Sequence, residues 1–336
     1  MMRARNGFPA RSPVVLRFVM LALGACLAGE VDARQDGATS PPVSGRRVSD
    51  PASILPADVL ARVELTRANV ELIRKFMGRS KCAPALLRAD AARPFEVYSQ
   101  SLNLQRRANR LAFEQVRVVR AESVPGLEVT RSADVFAVVD SASEAVLQVK
   151  RELGIEEAVG ETAHPESTTP GDVFNAIVAA GSEINNLLRR ETSPSDVFRL
   201  VTGAVHQAAS LHATLHAGPS LPVEPAFEPD KTPADVYARL RRCFSLVREV
   251  AHSKEMETLH IVTAKDDLVR VTPNDVSDLA ALLLEELIRL RRGFPDAKSA
   301  PRAYHPGRRF PAHVFQRAGF LEALLQDLAR DTSSGE

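Results

Sequence analysis

Eight stretches related to Thr232-Pro233-Ala234-Asp235-Val236-Tyr237 recur along this chain, and they constrain its fold more than anything else in it. Each reads as the start of a helix. The Thr232 hydroxyl can accept from the backbone N–H of Asp235, and Pro233 falls at the first helical position, where a missing N–H costs nothing. Asp235 can reach back to the N–H of the capping residue and places negative charge at the positive end of the helix dipole. Clear copies begin at Thr169-Pro170, Ser193-Pro194 and Thr272-Pro273, and they carry Asp172, Asp196 and Asp275. Looser copies start at Pro56, Pro94, Ser132 and Pro311; Asp58 and Asp134 keep the acid, Glu96 replaces it, and His313 stands in its place in the last. The cap at His313 is therefore expected to be the weaker one.

The starts lie 38, 38, 38, 24, 39, 40 and 38 residues apart. A fixed period of this size marks a repeat architecture. Within each copy the third, seventh, tenth, fourteenth and seventeenth residues after the start are almost all apolar. For the copy at Pro233 they are Val236, Leu240, Cys243, Val247 and Val250. Alternating steps of four and three trace one face of a helix. Each helix is about 20 residues, or roughly 30 Å, long. The aromatic one position after the motif valine (Tyr98, Phe136, Phe174, Phe198, Tyr237, Phe315) widens that face and reads as core.

The expected fold is all-α: eight tandem one-helix repeats with a period of about 38, forming two four-helix bundle-like halves. The one short step follows the fourth helix and sets the boundary, giving halves at 51–191 and 192–330. Connectors such as 78–93 and 217–232 hold about 16 residues. Extended, they reach roughly 53 Å, enough to return the chain to the end where the helix began and make successive helices parallel. The alternative is an α-helical solenoid whose connectors carry a second short helix.

Arg3, Arg5, Arg11 and Arg17 precede the apolar run 18–25, which is too short to span a bilayer, so residues 1–26 read as an export signal. Leu23-Gly24-Ala25-Cys26 resembles the bacterial lipoprotein signal, which would make Cys26 the lipidated first residue; Val31-Asp32-Ala33 is the competing cleavage site. Residues 27–50, rich in Gly, Ser, Pro and Asp, read as a flexible tether, and 331–336 as a tail. No later apolar run is long enough for a transmembrane helix in the mature chain. The expected location is the periplasm, with membrane attachment through lipid if Cys26 is processed.

A net charge of +1 argues against a nucleic-acid partner. No nucleophile elbow, phosphate-cradling loop or haem-attachment motif is present, so no catalytic or cofactor-binding residue is assigned. Two spacings are weak metal candidates: His212 with His216, and Glu249 with His252. Glu257 and His260 repeat the second spacing at a helix end. Arg289, Arg291 and Arg292, with Arg302, Arg308 and Arg309, form a basic cluster. Cys82 and Cys243 are candidates for a disulfide in an oxidising compartment, against a free buried thiol at Cys243. The expected function is a non-enzymatic binding or scaffold module with a protein or other partner in the cell envelope. The alternative is a small-ligand or metal-binding bundle, and behind it an enzyme whose site is assembled from connectors.

Overall fold

The computed structural model describes residues 54–122, 131–160, 162, 164–189, 192–215, 221–262, 265–294, 297 and 307–333. Cys26, His216, Arg302 and both proposed cleavage sites lie outside these residues. The helices are α1 (Pro56–Phe76), α2 (Pro94–Val116), α3 (Ser132–Glu152), α4 (Pro170–Asn185), α5 (Pro194–Leu215), α6 (Pro233–His252), α7 (Pro273–Arg292) and α8 (Pro311–Ser333). Two-residue strands β1 (Arg88–Ala89) and β2 (Ile261–Val262) pair antiparallel, and a short 3₁₀ helix covers Lys265–Arg270. The molecule is thus mostly helical, and its small sheet joins two connectors.

At every helix start the third helical residue accepts from the backbone N–H that precedes the helix. The acceptors are Asp58 (2.9 Å), Glu96 (2.7 Å), Asp134 (2.8 Å), Asp172 (2.9 Å), Asp196 (3.0 Å), Asp235 (2.8 Å) and Asp275 (2.9 Å). At α8 the His313 Nδ1 does the same for Phe310 N–H at 3.2 Å. The imidazole supplies the acceptor without the negative charge.

The apolar face is buried throughout. At the five stripe positions, no residue in any of the eight helices is more than 3 % exposed. Its few polar members turn inward on their own helices: Thr66 Oγ1 donates to the Arg62 carbonyl (2.8 Å), and Ser101 Oγ to that of Tyr98 (2.7 Å). Burying one such Val or Leu is worth about 1.5–3 kcal/mol, so this stripe dominates the stability of the fold.

Packing between helices divides them into two quartets. α1 and α2 each pack on α3 and α4, and α5 and α6 each pack on α7 and α8. Within a quartet the first and second helices, and likewise the third and fourth, therefore stand diagonally, while α2 packs directly on α3 and α6 on α7. Contacts between helices match early residue to early residue and late to late. Toward their starts, Arg62 on α1 pairs with Asp140 on α3, and Arg239 on α6 donates to the Phe315 carbonyl of α8. Toward their ends, Lys150 on α3 donates to Asn69 on α1, Gln115 on α2 to the Leu187 carbonyl just past α4, and His212 on α5 lies 3.9 Å from Asp327 on α8. The helices of a quartet thus run parallel. In the second quartet, Pro194, Pro233, Pro273 and Pro311 with Val197, Val236, Val276 and Val314 ring a dimple at one end, so all four N-termini lie together.

The quartets face opposite ways. Where α2 crosses α7, Phe95 lies beneath Arg289, while Arg107, further along α2, pairs with Asp278, nearer the start of α7. The short link Asn186–Ser193 explains this inversion. It is too short to carry the chain back along α4, so α5 must start beside the end of α4.

Candidate functional site

An open cleft of about 860 Å³ lies between α1 and α4 beneath the α1–α2 connector. Ala68, Ala176 and Ala179 line it, and their small side chains give it depth. Charged side chains of both signs project from the two helices above that lining. Arg67 bridges the helices: its Nε meets Glu183 Oε1 and Oε2 at 3.2 and 3.1 Å, and its Nη2 meets Oε1 at 2.6 Å. Its Nη1 also holds Glu64 at 2.8 Å. The Glu183 hydrogen bond is the main reason the Arg67 guanidinium is driven above its already high ordinary value. Two turns on, Arg74 makes a two-pronged pair with Glu71 at 2.6 and 2.7 Å.

The connector over this cleft is pinned at several points. Asn186 Nδ2 donates to the Ser80 carbonyl at 2.7 Å, and Leu86 N–H donates to Asp275 Oδ1 of α7 at 3.2 Å. Asn175 holds Ala89 in both directions, accepting from its N–H at 3.0 Å and donating to its carbonyl at 2.9 Å. Residues 81–84 consequently arch between two cavities. The second holds about 330 Å³ and shares Cys82, Ala83 and Pro84 with the first. Burial foremost, with the Glu183 charge, pushes the Cys82 thiol up, so it is a poor nucleophile.

No protein-family model, curated protein or solved structure matches this chain.

The seam between the quartets is charged. Glu96 on α2 and Glu286 on α7 are 0 % and 1 % exposed. Arg93 Nε holds Glu96 at 2.8 Å, and Arg289 Nη2 holds Glu286 at 3.1 Å; both arginines also donate to the Glu257 carbonyl. Burial, and then the Glu96 charge, push the Glu286 carboxyl up to about 7 despite Arg289. Its Oε1 has no hydrogen-bond partner among the described residues. Further along, Arg107 passes α4 at Gly181, where a β-carbon would stand 2.5 Å from its Nη1, and reaches Asp278. Burial lowers Arg107 to about 10, which leaves it cationic at neutral pH.

The structure scatters the other sequence candidates. His212 is buried on α5 with Nε2 3.9 Å from Asp327 of α8, while Glu249 and His252 are exposed on α6. Among the described residues no three His, Cys, Asp or Glu side chains are grouped to hold a metal ion. His260 lies 3.9 Å from Asp90, away from Glu249 and His252. Cys82 and Cys243 are free, so the candidate disulfide is not formed; Cys243 is buried in the second quartet with its Sγ 3.6 Å from the Ala318 carbonyl. The basic cluster is partly spent inside the fold: Arg291 binds Gln207 at 2.6 Å and Arg309 lies over the Phe198 ring. No helix among the described residues is long and apolar enough to cross a membrane.

Sequence reasoning passed over the cleft because its residues sit off the apolar stripe and look like ordinary solvated charges. The one signal was Cys82 in a connector beside Arg79 and Lys81, where a flexible loop would more usually be small and polar.

Proposed function

We propose that this protein is an exported, non-enzymatic binding module that holds an extended segment of an envelope protein in the α1–α4 cleft. The observation that carries this reading is the alanine-lined cleft between ladders of fixed ion pairs. From Leu60 to Arg74 along α1 the cleft runs roughly 21 Å, the length of about six extended residues. Its walls are two helices packed in register, so little order is lost on binding. Paired charges of both signs offer polar contacts to a peptide backbone without demanding a charged substrate. A raised Cys82 thiol and carboxylates already engaged by arginine fit binding better than catalysis.

The same reading takes the chain as a duplication of a four-helix unit built from one-helix repeats. The shared packing order of the quartets and the matching buried stripe support it. It also places the protein in the periplasm, with Cys26 as a lipid anchor. Cys26→Ser should then move it from the membrane fraction to the soluble fraction. A soluble wild type whose mature N-terminus is Arg34 would assign cleavage to the Val31-Asp32-Ala33 site instead.

The cleft is tested by placing a photo-crosslinking amino acid at Ala179, inside it, or at exposed Arg248 on α6, and irradiating intact envelopes. A discrete adduct from position 179 alone, reduced by Arg67→Ala, is expected. Equal adducts from both positions would remove the cleft from the binding surface.

A further inference from the structure

We propose that the second cavity, at the junction of the quartets, is a binding site for a compact dianion of the phosphate or dicarboxylate type. This site is separate from the peptide cleft, and each reading can fail without the other. The cavity of about 330 Å³ lies between the end of α4, the connector after α1 and the start of α7. That volume suits a small metabolite-sized ligand.

Its charge is one-sided. Arg79, Arg189 and Arg270 line it, and the only carboxylate in the lining is Asp275. Asp275 is already engaged: it accepts from Thr272 N–H at 2.9 Å, from Thr272 Oγ1 at 2.6 Å and from Leu86 N–H at 3.2 Å. It therefore holds the cavity together and does little to neutralise it. The Arg79 and Arg189 guanidiniums have no carboxylate partner among the described residues. Guanidinium groups present planar, paired donors that match phosphate and carboxylate oxygens.

A buried donor points the same way. Asn185, the last residue of α4, lines the cavity and is only 6 % exposed, yet its Nδ2 has no hydrogen-bond partner among the described residues. A buried amide N–H without an acceptor is destabilising, and an anion oxygen in the cavity would supply that acceptor. The frame is also preorganised, because the connector is tied to α4 at Ser80 and to α7 at Leu86. An occupied site would touch both quartets, so binding would stabilise their junction as well as fill the cavity.

Thermal unfolding of the full chain, titrated with inorganic phosphate or succinate against chloride at constant ionic strength, tests this. A saturable rise in Tm is expected with at least one anion, and the stronger response tells phosphate from dicarboxylate chemistry. Arg79→Ala/Arg189→Ala changes only exposed side chains, and should weaken binding at least about tenfold without lowering the anion-free Tm. Asn185→Ala removes the unsatisfied amide and should cut the response while leaving the anion-free Tm equal or higher. No saturable response to either anion, or an unchanged response in the double variant, would overturn the proposal.

Discussion

At the head of α6 the Asp235 carboxylate accepts from Thr232 N–H at 2.8 Å and from Thr232 Oγ1 at 2.7 Å. Such a cap satisfies a donor that the helix cannot. Here it has a second task, because parallel helices gather their positive dipole ends in one place. Seven of the eight heads answer with a carboxylate three residues in. Asp235→Ala should lower equilibrium stability by about 0.5–2 kcal/mol, and His313→Ala by less, since no charge is removed there. Equal losses would contradict the electrostatic part of the argument. Bonds to the backbone and side chain of Thr232 hold Asp235 below its ordinary range, and the side chain and backbone of Thr169 do the same for Asp172. Their contribution is present above the ordinary aspartate pKa and is lost as pH falls through the lower, folded value. These caps were legible in the sequence because their chemistry is complete within four residues.

The helix faces were legible for a similar reason: a helix repeats every 3.6 residues, so five positions per copy declare one buried side. What meets that side was not legible. Glu96 reads as a cap and Glu286 as an exposed helix acid, yet α2 and α7 bring the two carboxylates into one buried seam. No local pattern encodes a contact between residues 190 positions apart. The seam makes two tests. With Glu286 raised to about 7 in the fold, the native state keeps a proton that the unfolded chain releases, so stability should fall as pH rises from the ordinary glutamate range to about 7. Chemical denaturation across pH 4.5–7.5 measures this, and Glu286→Gln should flatten the decline; an unchanged slope in the variant would place the linkage elsewhere. Arg107→Met leaves Asp278 buried without its partner and should cost about 3–5 kcal/mol, most of it recovered by adding Asp278→Leu.

Over the whole molecule, connector length governs helix direction. Six long connectors carry the chain back to the end where it began, and the single short one, Asn186–Ser193, lets it continue and so inverts the second quartet. Among the described residues, contact between the quartets runs through α7 against α2 and α4, the pairing of β1 with β2, the Leu86 anchor, and the α6–α7 connector, whose Glu257 carbonyl and His260 meet Arg93 and Asp90. Charged groups supply much of it: Arg107 with Asp278, and Arg93 and Arg289 around the Glu257 carbonyl. A seam of this kind adds little stability compared with forty buried stripe positions. Residues 48–191 and 192–336, expressed apart, are therefore expected to fold separately. Each should be helical by circular dichroism, monomeric by sedimentation and cooperative in unfolding. The second fragment, which holds Glu286, should lose most of the pH dependence tied to it, because the α2 face and the Glu96 charge that raise its carboxyl are then gone. The Thr202, Ser101 and Thr66 hydroxyls satisfy their own helices, so these buried polar groups do not depend on the other quartet. Fragments that stay unfolded alone but recover structure when mixed would make the eight helices one cooperative unit, with the seam essential to it.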